Sequence, residues 1–170
     1  MAGAMYEQIL WHVPEPGIAL ITLNRPERLN RFTHTMIGEW TDALERARRD
    51  PGIRVAVVTG AGESFCVGAD VPVQPSGSLH DFSELEGKVA SVERPNLLEE
   101  SLNRMARALV GFEKLYIAAI NGECVGGGME VANLTDIRIA SDRAHFRALL
   151  AGQGSCLGKL ACYTLPRIVG

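Results

Sequence analysis

Hydrophobic residues recur along this chain at two spacings, and the order in which the spacings alternate predicts the fold class. Short apolar runs bounded by turn residues predict strands at residues 18–23, 53–59, 116–120 and 137–140. Apolar residues at every third or fourth position predict long helices at about 34–49 and 96–112, and a short helix is expected at about 129–134. Strands that alternate with helices are typical of an α/β fold with mostly parallel connections.

The composition is that of one globular domain, which we place at residues 1–170. Hydrophobic residues make up 46% of the chain and charged residues 22%, values that exclude disorder as the default state. The formal net charge is −3, and lysine and arginine form no dense cluster. We therefore expect no nucleic-acid partner and no anionic-membrane partner.

Targeting and metal-binding signals are weak in this sequence. No apolar run approaches the roughly 18 residues of a membrane-spanning helix, and residues 1–6 do not resemble a secretory signal. No pair of cysteines forms a Cys-x-x-Cys motif, and no histidine lies at ligand spacing from a close cysteine pair. We expect reduced thiols, no metal site and a cytoplasmic protein.

Two glycine-containing turns each follow a predicted strand. The first turn is at residues 64–70, and the second, at 121–130, contains three successive glycines. Glycine lets a backbone approach a ligand closely, and amides at a helix start favour negative charge. Two such turns at one sheet edge can direct two amides at one oxygen, which is an oxyanion hole.

Three successive glycines alone do not establish that site, because a flexible turn explains them equally well. A phosphate-binding loop is the poorer alternative. The turn at 121–130 has neither the Gly-Lys-Ser/Thr ending of a nucleotide-binding loop nor a G-x-G-x-x-G pattern.

Three blocks of sequence, taken together, resemble the crotonase superfamily, the enoyl-CoA hydratase/isomerase group. They are residues 23–30 (LNRPERLN), 57–70 (VVTGAGESFCVGAD) and 117–140, which contains GGGME; the closing residues 165–170 (LPRIVG) agree with the family too. The resemblance implies a spiral of repeated ββα turns and an acyl-CoA thioester enzyme of the lyase or isomerase type in fatty-acid metabolism. It implies no separate cofactor, since CoA is part of the substrate.

The resemblance also assigns the catalytic positions. The family's two oxyanion amides fall on Ala69 and Gly127, which would bind the thioester oxygen as it gains enolate character. The first family glutamate falls on Glu130, as the acid/base residue. The alternative for Glu130 is a carboxylate that only stabilises the start of a helix.

The substrate-binding positions follow in the same way. The adenine-contacting backbone falls on Val67 and its neighbour Gly68, and Gly126 and Asp70 complete the set. Asp70 has an alternative interpretation, in which it caps or orders its own loop.

The side chain expected near the CoA phosphates is Arg28, with Arg25 as the second candidate. The alternative for both arginines is solvated surface.

One position departs from the family pattern. The second family glutamate falls on Leu150, which can neither accept a proton nor orient water, so standard two-carboxylate hydration is in doubt. Proton transfer with Glu130 as the one base remains open, and Gln153 and Ser155 are weaker candidates for holding water. The alternatives are a non-catalytic acyl-CoA-binding or interaction module and, third, a CoA-thioester hydrolase.

Family members usually continue beyond the LPRIVG segment into helices that cover the acyl pocket and build trimers. This chain ends without that C-terminal helical segment, so we expect a truncated core domain. With the segment present, we expect a homo-oligomer, either a trimer or a hexamer.

Overall fold

The computed structural model describes residues 6–70, 93–148 and 161–170. Its strands are β1 (Ile9–Glu15), β2 (Ile18–Leu23), β3 (Val55–Gly60), β4 (Ser64–Cys66), β5 (Leu115–Ile120), β6 (Glu123–Val125), β7 (Ile137–Ala140) and β8 (His145–Arg147). Its helices are α1 (His34–Arg49), α2 (Glu93–Val110), α3 (Gly127–Ala132) and α4 (Ala161–Val169), and a short 3-10 helix spans Pro26–Arg28. The predicted α/β class is confirmed.

The strands form two sheets, and each strand of the smaller sheet follows a strand of the larger one along the chain. The larger sheet has the order β1-β2-β3-β5-β7, with β1 antiparallel to β2 and the other neighbours parallel. The smaller sheet has the order β4-β6-β8 and is parallel. The chain therefore repeats a unit of two strands and a helix, as in β3-β4-α2 and β5-β6-α3, which is the predicted spiral of ββα turns.

Helix α1 anchors the segment that precedes it against the larger sheet. The Thr33 side chain caps the helix by accepting a hydrogen bond from the Met36 amide at 3.1 Å. The predicted apolar stripe is buried, and the indole of Trp40 donates to the Tyr116 hydroxyl of β5 at 2.9 Å. Phe32, directly before the cap, is thereby held in the core at 2% exposure.

Several short elements have no counterpart in the sequence pattern. Strand β1 buries only its first residue fully, so it shows no alternation that would predict a strand. Strands β4, β6 and β8 have three residues each, too few to show a period. Helix α3 begins at Gly127, two residues earlier than predicted, so two of the three successive glycines lie inside the helix.

The last strand of each sheet exposes large apolar side chains. In β7, Ile137 and Ile139 are exposed, and so is Phe146 in β8. An exposed apolar patch is typical of a surface that another segment or chain covers. The homo-oligomer stays a prediction. Within the described residues, no helix is long and apolar enough to cross a membrane.

Two glycine-to-alanine substitutions should have opposite effects on stability, one where α3 packs on β4 and one in α1. A Cβ on Gly128 would overlap the carbonyl oxygen of Cys66, so Gly128→Ala should lower the free energy of unfolding by about 3 kcal/mol or more. In α1, apart from the helix's own backbone, no atom of residues 6–70, 93–148 or 161–170 lies within 4 Å of a Cβ on Gly38, so Gly38→Ala should raise the free energy of unfolding by about 0.5–1 kcal/mol. Urea unfolding measures both. A Gly128→Ala protein as stable as wild type would mean that the two backbones are not in contact.

Candidate functional site

The structure brings the two glycine turns together. Strands β4 and β6 are neighbours, with Cys66 paired to Cys124, so the turns that follow them leave the smaller sheet side by side. A Cβ built on Gly68 would lie 3.4 Å from the backbone nitrogen of Gly127. The turn that carries Ala69 and the turn that carries Gly127 are therefore in contact.

The direction of the Ala69 amide follows from its neighbours. The Phe32 amide donates to the Gly68 carbonyl at 3.0 Å, and the Asp70 amide donates to the Phe32 carbonyl at 2.9 Å. In a trans peptide the N–H points opposite to the carbonyl, so the Ala69 N–H points away from Phe32. Within the described ranges, neither the Ala69 nor the Gly127 amide donates to a protein acceptor.

The glycines of the second turn serve different purposes. Gly126 has a φ of 53°, and no atom of the described residues lies within 4 Å of where its Cβ would be, so its backbone faces space that these residues leave open. A Cβ on Gly127 would lie 2.5 Å from Cζ of Phe32. Gly128 packs on the backbone of Cys66. Close packing therefore requires Gly127 and Gly128, and only Gly126 leaves room for an approaching group.

Glu130 lies in the first turn of α3, where its amide donates to the Gly126 carbonyl at 3.0 Å. Its neighbours Met129 and Val131 are buried, whereas Glu130 is half-buried. A helical spacing of three places Glu130 on the same face as Gly127. The Cα of Gly127 and the side chain of the proposed acid/base residue thus lie on one side of the helix, one turn apart.

Asp70 forms two ion pairs with the arginines of the 3-10 segment and its flank. Its Oδ2 lies 2.9 Å from Nη2 of Arg25, and its Oδ1 lies 3.0 Å from Nη2 of Arg28. Burial by itself raises the pKa of Asp70, but the hydrogen bonds and charges of Arg25 and Arg28 outweigh it and hold that pKa below its ordinary value. The carboxylate binds its own loop to the segment at 25–28, as its alternative interpretation expects.

The two arginines differ in their availability to a ligand. Arg25 is 17% exposed, and its second guanidinium nitrogen, Nη1, donates to the Arg31 carbonyl at 2.6 Å. Arg28 is 57% exposed, and among the residues that the structure describes its guanidinium pairs with Asp70 alone. Of this pair, Arg28 is the more accessible to a ligand, and Arg25 is mostly shielded from solvent.

Sequence reasoning missed Asn30, which is fully buried with a φ of 54°. Its Oδ1 accepts from the Arg25 amide at 2.9 Å, and its Nδ2 donates to the carbonyls of Ala61 and Ser64 at 2.9 and 2.8 Å. Asn30 therefore ties the arginine segment to the chain around β4. The sequence signals were its place at the end of the block 23–30 and the tolerance of asparagine for positive φ.

The remaining candidate within the described residues is Val67, which is half-buried between Cys66 and Gly68. Burial raises the pKa of the Cys66 and Cys124 thiols to about 12, so neither is a thiolate near neutral pH. Three candidates of the sequence lie outside the described residues: Leu150, Gln153 and Ser155. No group of metal-ligating side chains is found in the described part of the chain.

Comparisons with known proteins identify the relatives of this chain. A family model described as enoyl-CoA hydratase/isomerase matches residues 14–170. A protein of Mycobacterium leprae named as a probable enoyl-CoA hydratase is 39% identical over 92% of this chain and 52% of its own length. A 1,2-epoxyphenylacetyl-CoA isomerase of Escherichia coli is 37% identical over 98% of this chain and 60% of its own.

Solved structures agree with these relatives. The crystal structure of a probable enoyl-CoA hydratase/isomerase from Mycobacterium abscessus superposes with a TM-score of 0.76 and 35% identity, covering 96% of this chain and 59% of that one. The chain therefore spans about half to three-fifths of the length of these relatives.

The ion pairs of Asp70 predict a pH-dependent loss of stability. Because the pKa of Asp70 is lower in the folded than in the unfolded chain, the carboxylate stabilises the fold above its ordinary pKa of 3.8. That stabilisation is lost as the pH falls through the lowered folded-state pKa. Asp70→Asn should therefore lower the free energy of unfolding at pH 7 by about 1.5 kcal/mol, and the deficit should shrink below pH 3.8.

Urea unfolding at pH 7 and pH 3 measures this difference. Asp142→Asn is the control, because Asp142 is an exposed aspartate outside the cluster. A deficit of Asp70→Asn that is the same at both pH values would rule out the ion pairs as its cause.

Proposed function

We propose that this chain, which belongs to the enoyl-CoA hydratase/isomerase family, binds an acyl-CoA thioester and stabilises the thioester oxygen with the amides of Ala69 and Gly127. One observation carries the proposal: the two glycine turns are in contact, and both amides lack an acceptor within the described residues. An oxygen between them would supply the acceptor. The chain spans only part of the length of its relatives, so the activity of the whole protein is a proposal that rests on the family.

The chemistry needs such a pair of donors. When the α-carbon of an acyl thioester loses a proton, negative charge moves to the thioester oxygen. Amides that already point at that oxygen stabilise this charge more than they stabilise the neutral substrate, and loss of one such donor typically costs 10²–10³-fold in rate. The amide of Ala69 comes from one turn and that of Gly127 from the other, so rotation of either turn would separate them.

Glu130 is the proposed acid/base residue. In isomerisation of a 3-enoyl-CoA its carboxylate accepts a proton from the α-carbon, C2, and the electron pair of that C–H bond moves to the thioester oxygen. The pair then returns through the conjugated carbons, the same proton is delivered to C4, and the double bond lies between C2 and C3. This cycle needs one base and no added water, which suits a chain with leucine at the position of the second family glutamate, Leu150. We therefore favour isomerisation of an enoyl-CoA over hydration.

The remaining parts of CoA are assigned to the edge of the same site. The backbone at Val67 and Gly68 would contact the adenine, and Gly126 leaves open space for the ligand. Arg28 would meet the phosphates, because its guanidinium is exposed and can exchange Asp70 for a phosphate group.

A second candidate is an acyl-CoA-binding module without turnover. Leu150 favours it, since a carboxylate lost at that position removes one of the two groups on which family hydratases rely. The binding turns would be the same in both candidates.

Substitution of Glu130 tests the choice. We expect the wild-type chain to isomerise a 3-enoyl-CoA, and Glu130→Gln to lower kcat by about 10²–10⁴-fold, the usual contribution of an acid/base group. The Kd for the CoA ester should change by less than about threefold, because glutamine has nearly the same shape. Coupled spectrophotometry gives kcat, and calorimetric titration gives Kd.

Glu113→Gln is the matched control, because Glu113 is an exposed glutamate between α2 and β5 and should keep wild-type kcat. Crotonyl-CoA in the same assays measures hydration. Tight binding without turnover by the wild type would favour the binding module. Neither binding nor turnover would refute the proposed function.

A further inference from the structure

We propose that Arg25 is a positioning residue for the oxyanion site and acts on the Ala69 amide through a chain of two hydrogen-bonded peptides. The inference rests on the proposed function, because it concerns one of the same two amides. Three observations support the inference: the hydrogen bonds of Arg25, the two peptides that these bonds connect, and the low exposure of the guanidinium.

The chain of peptides starts at the guanidinium. Nη1 of Arg25 donates to the Arg31 carbonyl at 2.6 Å. The same peptide carries the Phe32 amide, which donates to the Gly68 carbonyl at 3.0 Å. That second peptide carries the Ala69 amide, which points the opposite way. Arg25 is at one end of the chain, and the proposed position of the thioester oxygen is at the other.

A cation at the far end strengthens each donor along such a chain. The guanidinium draws electron density from the Arg31 carbonyl, so the Phe32 N–H becomes a better donor to Gly68. The Ala69 N–H gains in the same way. A better donor helps most when the oxygen carries negative charge, so the effect belongs to the transition state and to kcat more than to KM.

Asp70 holds the guanidinium in this position. Its Oδ2 accepts from Nη2 of Arg25 at 2.9 Å, while its backbone amide donates to the Phe32 carbonyl at 2.9 Å. The side chains of Arg25 and Asp70 are 17% and 15% exposed. Arg28 contacts the other carboxylate oxygen from the solvent side, so it can turn to a phosphate while Arg25 stays in place.

Arg25→Gln tests the inference, because glutamine removes the charge and keeps a hydrogen-bond donor. We expect kcat for the isomerisation of a 3-enoyl-CoA to fall about tenfold, a part of the 10²–10³ that loss of a whole oxyanion donor costs. KM should change by less than about threefold. Arg25→Lys restores the charge but not the two-pronged contact, so its kcat should be intermediate.

Arg49→Gln is the control, because Arg49 is an exposed arginine of α1 that also pairs with a carboxylate, Glu45, at 3.2 Å. It should keep the kcat and KM of the wild type. If Arg25→Gln lowers kcat no more than Arg49→Gln does, or changes only KM, the inference is overturned.

Amide resonances give a readout that needs no turnover. In the full 170-residue chain without substrate, Arg25→Gln should move the amide proton resonances of Phe32 and Ala69 upfield, because both N–H groups lose polarisation. Arg25→Lys should move them less, and it is the variant to use if Arg25→Gln does not fold. Arg49→Gln should leave both resonances in place. Unmoved Phe32 and Ala69 resonances in a folded Arg25 variant would overturn the relay.

The two proposals fail in different ways. A wild-type chain that neither binds nor turns over a CoA thioester refutes the proposed function, whatever the resonances show. A wild-type chain that turns over, together with a folded Arg25→Gln protein of unchanged kcat, refutes only the role of Arg25.

Discussion

The site depends on the close approach of two backbone turns, and that approach depends on positions that carry no side chain. A Cβ on Gly128 would overlap the carbonyl oxygen of Cys66, and Gly68, at a φ of 91°, lies against the amide nitrogen of Gly127. Phe32 contacts both turns. Its ring packs on Gly127, and its backbone forms hydrogen bonds to Gly68 and Asp70, the two neighbours of Ala69. Two donors from separate segments are therefore held near each other by the packing of the segments that carry them.

The charges around this contact are arranged from the interior outward. An arginine that is mostly shielded from solvent is costly unless its charge and its donors are satisfied. Arg25 meets that requirement with Asp70 and the Arg31 carbonyl, and Asn30 fixes its backbone. Arg28 shares the same carboxylate at the surface. One aspartate therefore serves an inner cation that belongs to the fold and an outer cation that is accessible to an anion.

Four of the five strands of the larger sheet could be predicted from the sequence, whereas β1 and most of the site network could not. Strands β2 and β7 have the predicted bounds because their residues form apolar runs between clear turn signals. The three-residue strands β4 and β6 are defined by their pairing with each other, which no local pattern shows. The contact of Arg25 with Arg31 requires two successive residues, Leu29 and Asn30, at positive φ, a conformation that leucine rarely adopts. The glycine turns were found because a missing Cβ is visible in the sequence, whereas their contact is tertiary.

The most direct test of the account is the infrared carbonyl band of a bound enoyl-CoA labelled with ¹³C at the thioester carbon. Gly127→Pro and Gly127→Ala place the same Cβ against Phe32, and proline is tolerated in the first position of a helix, so the pair differs chiefly in the amide hydrogen. We predict a band at lower frequency on the wild-type protein than in water. Both variants must displace the Phe32 ring, so both move the band towards its frequency in water, and proline, which also lacks the amide hydrogen, moves it further than alanine. A wild-type band at its frequency in water, or equal bands with proline and alanine, would contradict the account.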